Sequence, residues 1–150
     1  MDKLATRAVV EDRLGRVHRM LDHPYEALAH HQRALVLFEA VHGPHHPNVA
    51  IAVHAVALAL RGAGRLREAL VYHRRALALQ EATLGAAHPD LAGMETALGI
   101  TLWIAGDAAG AHDRFASALA SYVQRFGEDH VTVARVFVIP SVARDLRSRV

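Results

Sequence analysis

The chain has 150 residues, no cysteine and a formal net charge of only +2 at pH 7. It therefore has no disulfide framework, no thiol nucleophile and no Cys-based zinc site. Its net charge is also too small for a strongly basic nucleic-acid surface. Hydrophobic residues make up 52% and aromatic residues 5%, a balance that suits Ala- and Leu-rich helices better than a sheet.

Arginines do cluster, at Arg13, Arg16 and Arg19, at Arg65, Arg67, Arg74 and Arg75, and at Arg144, Arg147 and Arg149. Glu11, Asp12, Glu68, Glu81 and Asp145 are interleaved with them, which reads as solvated helix faces. A single-strand-binding surface would want aromatic stacking platforms as well. Lys3 is the only lysine, which fits a GC-rich genome. The start, MDKLATRAVVEDR, has no apolar signal core. The longest uncharged stretch, Val41 to Leu60, holds four histidines, two prolines and a glycine, too polar and broken to span a bilayer. The expected location is the cytoplasm.

Six columns recur three times at an interval of 42 residues. They are Ala27, Ala69 and Ala111; Ala34, Ala76 and Ala118; Leu35, Leu77 and Leu119; Gly43, Gly85 and Gly127; His46, His88 and His130; and Ala50, Ala92 and Ala134. A fixed period of this length signals a helical repeat array, in which each unit buries its face on the next.

In chain order, residues 1–22 read as a first helix. A second runs from about Pro24 to Val41, with Ala27, Leu28, His31, Ala34, Leu35 and Phe38 on one face of a 3.6-residue period. Helices follow at about 47–61 and 65–84, the latter with Leu66, Ala69, Leu70, His73, Ala76, Leu77 and Gln80 on its buried stripe. The third unit has helices at about 89–105 and 108–126. Alanines in fixed columns let neighbouring helices approach closely. Asp22-His23-Pro24, Gly62-Ala63-Gly64 and Gly106-Asp107 separate the helices within units. Gly43 and Gly85 stand where a left-handed cap is wanted, and Pro47 and Pro89 at the first turn of the next helix. A seventh helix begins near residue 130, and Pro140 ends or kinks it near Ile139. The segment Val136, Phe137, Val138 and Ile139 is apolar on all sides. Either the last ten residues fold back over it, or it meets a partner or a second copy of the chain. A third possibility is that the chain is a piece of a longer array.

The pattern E-A-L-x-x-H-x-R-A-L followed by G-x-x-H-P-[ND]-[VL]-A resembles the tetratricopeptide repeat in its 42-residue, kinesin-light-chain-like form, over about residues 8–134. That form also occurs in sensor arrays of bacterial signalling ATPases. The resemblance implies an all-α, right-handed α-solenoid of three helix pairs in a single domain, residues 1–150. Its repeats would be about 8–49, 50–91 and 92–133, with a C-terminal capping helix at 134–150. It also implies a concave ligand-binding face built mainly from the first helix of each unit. Carried over by column, that face holds Asp12, Arg16 and Arg19, then His54, Leu58 and Arg61, then Thr96, Ile100 and Trp103. Such a groove suits an extended peptide with an acidic portion and an apolar anchor, since arginine forks onto carboxylates and tryptophan is a favoured anchor. The competing expectation is that Trp103 simply packs against the next helix. Where kinesin-light-chain-like repeats carry asparagines that clamp the peptide backbone, this chain has Arg13, Ala55 and Ala97. Repeats that clamp chaperone tails use asparagines too. Both specific cargo classes are therefore set aside, and a general binding role remains.

Of the twelve histidines, His46, His88 and His130 occupy the linker column and read as structural. His31 and His73 stand where most such repeats place a large aromatic, and His18 in a core column, so half-buried, hydrogen-bonded imidazoles are expected. If His31 and His73 are buried and neutral, acid should destabilise the fold. A metal site of His18, His31 and Glu11 matches no known ligand spacing, so no metal or cofactor is expected. No serine lies in a nucleophile elbow and no glycine-rich phosphate loop appears. The adjacent carboxylates Glu11-Asp12 and Glu128-Asp129 diverge on a helix. The expectation is a non-enzymatic protein-interaction module. Its alternatives are a self-associating scaffold, or a sensor segment of a larger bacterial signalling regulator. A nucleic-acid or small-ligand binder is the outsider.

Overall fold

Helix-stop chemistry recurs with the repeat and sets every joint. In the computed structural model, which describes residues 2–127, the chain forms α1 (Lys3–Met20), α2 (Pro24–His42), α3 (Pro47–Gly62), α4 (Leu66–Leu84), α5 (Ala92–Ile104) and α6 (Ala108–Phe126). No strand occurs among the described residues. These bounds agree with the sequence-based ones to within a residue or two, except before α5. There Pro89–Leu91 forms a 3-10 turn and the α-helix starts at Ala92. Such tight turns are common at helix N-termini. The expected helix at 134–150, the apolar run at Val136–Ile139 and His130 lie outside the described residues.

The turn inside each repeat is the same Schellman cap three times. The N–H of His23 bonds the Val17-flanking His18 carbonyl at 2.8 Å and that of Asp22 the Arg19 carbonyl at 3.2 Å. Arg65 and Gly64 repeat the pair on Leu60 and Arg61, as do Asp107 and Gly106 on Leu102 and Trp103. The residue at the bend has φ of 57° at Asp22, 76° at Gly64 and 92° at Gly106. The turn between repeats differs from the left-handed cap expected at Gly43. Its φ is 82° but its ψ is 167°, an extended mirror-image conformation that is essentially glycine-only. After it, His46 and His88 cap the next helix, each Nδ1 accepting an N–H, from Asn48 and Asp90 respectively, at 3.1 Å.

The chain divides into two compact units, residues 1–83 and 84–150. In the first, α1 packs on α2 and α2 on α3. Ala27, Ala34, Leu35, Val49, Val53, Val56, Leu60, Ala69 and Ala76 fill its core. His31 takes the large-aromatic column because its facing position is Gly15, where a Cβ would sit 2.6 Å from the imidazole. In the second unit, α5 packs on α6. Phe115 fills the same column there, and a Cβ on Gly99 would come within 3.0 Å of its ring. A small residue on the first helix therefore makes room for a ring on the second.

Candidate functional site

On α1, Asp12, Arg16 and Arg19 fall at i, i+4 and i+7, and on α3 His54, Leu58 and Arg61 do the same. Each helix thus presents one face. A shift of 42 residues maps Asp12 onto His54, Arg16 onto Leu58 and Arg19 onto Arg61, so the two faces are equivalent stripes of neighbouring repeats. All six residues belong to the first unit.

Asp12 is more buried than a ligand-facing acid would need to be, at 7% exposure. It accepts from Arg16 Nε at 2.8 Å, and its other oxygen lies 3.3 Å from Nδ1 of fully buried His31. Burial pushes its carboxyl up, but His31 and Arg16 outweigh that and leave it below the usual carboxylate value. Asp12 is therefore an orienting group that ties Arg16 to the core. Beside it opens a cavity of about 270 Å³ with Asp12, Arg13, Arg16 and Asn48 as its polar lining. Val9, Phe38 and Ile51 form the apolar part. Arg13, Asn48 and Phe38 do not belong to the expected face. Asn48 starts α3 and Phe38 ends a buried stripe on α2, so only the packing of three helices brings them together.

Further along, the face becomes strongly cationic. Burial, then Arg16, lowers the Arg19 guanidinium from its ordinary value, with Asp12 opposing. Arg61 is lowered by burial and then by Arg19. His54 is half-buried and held down to about 4 by burial, then by Arg19 and Arg61. Behind it lies His73, 1% exposed, its ring centroid 5.5 Å from that of His54. Burial, His54 and Arg61 hold His73 down to about 3.

The second unit carries the remaining expected residues on one face of α5. Thr96 Oγ1 donates to its own helix at the Ala92 carbonyl, 2.7 Å away, and Ile100 is half-buried. Trp103 keeps 39% of its surface exposed, next to Ile104 at 54%. The unit also holds a buried carboxylate that no motif announced. Glu95 is 3% exposed and accepts from Ser117 Oγ at 2.6 Å.

The histidines separate into pairs. Glu11 engages His30 at 2.8 Å, not His18 and His31. His18 stacks on His30 with centroids 5.2 Å apart and meets His23 Nδ1 to Nδ1 at 3.3 Å. Among the described residues, no three metal-ligating side chains converge on one point.

A profile of the tetratricopeptide repeat matches residues 6–82 and 54–124. Among curated proteins none matches the sequence. Among solved structures, the nearly identical tetratricopeptide-like repeats of a Podosopora anserina putative kinesin light chain superpose with a TM-score of 0.84 at 17% identity. That match covers 99% of this chain and 70% of the other. A single-substitution variant of the same protein gives 0.79 at 17% identity, covering 99% and 73%. The N-terminal domain of stress-induced protein-1 from C. elegans gives 0.64 at 14% identity, covering 99% and 98%. At these identities the solved structures establish an all-α repeat fold of the solenoid class, and the profile adds the lineage. The chain belongs to the tetratricopeptide repeat family.

Proposed function

We propose that the chain is a non-enzymatic binding module that takes an extended acidic segment of a protein along the α1 and α3 faces of its first unit. Repeats of this family generally serve as protein–protein interaction modules. The observation that carries the finer reading is the cavity beside Asp12. It is lined by Arg13, Arg16 and Asn48 with Asp12, and by Val9, Phe38 and Ile51, and Arg16 shares its helix face with Arg19. An extended chain with carboxylates satisfies both parts, because guanidinium groups bind carboxylates bidentately and Asn48 offers an amide for backbone groups. Among the described residues no helix is long and apolar enough to cross a membrane, and this reading needs none.

The test is calorimetric titration with a synthetic peptide of one tryptophan flanked by two glutamates on each side. Arg19→Ala and Arg61→Ala should each weaken binding about tenfold, the loss typical of an interface anchor. The affinity should also fall steeply with added salt. Unchanged affinity in both variants would remove the face from consideration.

A further inference from the structure

The side of α1 opposite its buried residues carries an apolar stripe. Ala8, Asp12 and Gly15 are the buried residues of that helix, whereas Val10, Leu14 and Val17, and Leu21 at its C-cap, are all exposed. These four fall at i, i+4, i+7 and i+11, the alternation of four and three residues along which two helices pack as a seam. A shift of 42 residues takes Val10, Leu14 and Val17 to Ala52, Val56 and Ala59 on α3, which packs on α2. There the column is at most 1% exposed, so it is one that this repeat covers with another helix. A face left to water calls for polar residues. On α1 the column is instead bulkier than where it is buried, Val, Leu and Val against Ala, Val and Ala.

Charge at the two ends of the stripe decides which helix fits. Arg7 precedes it and Asp22 follows it, and both are exposed. A second α1 packed parallel would set Arg7 against Arg7 and Asp22 against Asp22. Packed antiparallel, with Leu14 on Val17 and Val10 on Leu21, every apolar residue of the stripe meets an apolar residue. Each Arg7 then comes level with the Asp22 turn of the other copy, at a helix C-terminus, where a cation is stabilised.

We propose that α1 is a self-association surface: two copies of the chain pack α1 antiparallel on α1 about a two-fold axis between Leu14 and Val17, burying Val10, Leu14, Val17 and Leu21 of each. Such a contact uses the same patch on both copies, so it closes at two. The stripe is about 17 Å long, which falls short of a standard interface. The dimer is accordingly weak, with a Kd on the order of 50 µM. Asp12, Arg16 and Arg19 lie on a different stripe of α1, so each copy keeps the face described above and the dimer presents two of them. A protein with two suitable segments would be held at both, the second attachment being intramolecular.

The experiment is sedimentation velocity of the whole chain in dilute and concentrated solution. By mass action a Kd of that order leaves the chain monomeric at about 2 µM and pairs about two-thirds of it at about 200 µM. Leu14→Lys should be monomeric at both concentrations. Its melting temperature in the dilute sample should match the wild type, because both are monomers there. The chain has no cysteine, so Leu14→Cys and Val17→Cys each carry a single thiol. Mixed in the concentrated sample and oxidised, the two variants should be joined chiefly to each other, since the antiparallel packing sets position 14 on position 17. A monomer in the concentrated wild-type sample overturns the proposal and leaves the stripe to a different partner. A dimer that survives Leu14→Lys overturns it as well, by placing the association elsewhere in the chain. Disulfides formed chiefly between identical variants mean a parallel pair and overturn the antiparallel packing. None of these measurements uses the peptide, so their failure is separate from failure of the binding face.

Discussion

The two buried histidines of the first unit occupy one repeat column yet answer to different neighbours, and that difference is measurable. His73 has His54 and Arg61 around it and is held down to about 3. Its folded value lies far below the unfolded ~6.5, so the fold favours the neutral ring. The stability this contributes is complete above about pH 6.5 and is lost as pH falls toward 3, at most about 2 kcal/mol by pH 5. His73→Phe should therefore flatten the fall in melting temperature between pH 7 and pH 5. A thermal scan series that keeps the wild-type slope would contradict this. Both histidines were expected to act this way, but the Asp12 carboxylate lies 3.3 Å from His31. His31→Phe should instead destabilise the protein already at pH 7, by about 2–3 kcal/mol, because it leaves a buried carboxylate without that contact. The sequence showed that a ring column existed and that histidines filled it. It could not show which partner each one faced, since the pairs Asp12–His31, Glu11–His30 and Glu95–Ser117 lie 19 or more residues apart. Their meeting depends on how two helices are rotated against each other.

At the scale of elements, most of the fold was legible because punctuation and period coincide. The bend column Asp22, Gly64 and Gly106 shows how far that goes. Glycine at two of its three members announces a positive φ, and Asp22 adopts 57° in the same cap. Forcing a β-carbon into that conformation costs roughly 1–2 kcal/mol. Gly64→Ala should lose about that much in urea unfolding, while Asp22→Gly should be neutral or gain up to about 1 kcal/mol. A stabilising Gly64→Ala would sink this account of the turn. The 3-10 start of α5 was not legible, since Pro47 and Pro89 stand in the same column and only the first begins an α-helix. A second element-level test uses α1. Val10, Leu14 and Val17 are 49%, 41% and 51% exposed, while their counterparts Ala52, Val56 and Ala59 on α3 are 0–1% exposed. Leu14→Lys should shift stability by less than about 0.5 kcal/mol. Val56→Lys, burying an unpaired charge, should unfold the first unit or cost at least 3 kcal/mol. Equal effects at the two positions would contradict the assigned burial.

For the molecule as a whole, the family and the helical repeat account for what kind of protein this is, and the first-unit face is where we propose that it binds. The columns carried over from the family lie on equivalent faces of α1 and α3, and Arg16, Arg19, His54 and Arg61 are the residues there that we assign to a ligand. They also assigned Asp12 to the ligand; in the structure it lines the cavity with its carboxylate against Arg16 and His31. The cavity lining adds Arg13, Asn48 and Phe38, which those columns do not include, because it forms where α1, α2 and α3 meet. The most direct test of the central claim is a nuclear magnetic resonance titration with the tryptophan–glutamate peptide, following arginine Nε–Hε and histidine ring signals. Saturable shifts are expected at Arg13, Arg16, Arg19, Arg61 and His54. Shifts confined to the α4 arginines Arg67, Arg74 and Arg75, or no saturable shift at any arginine, would contradict it.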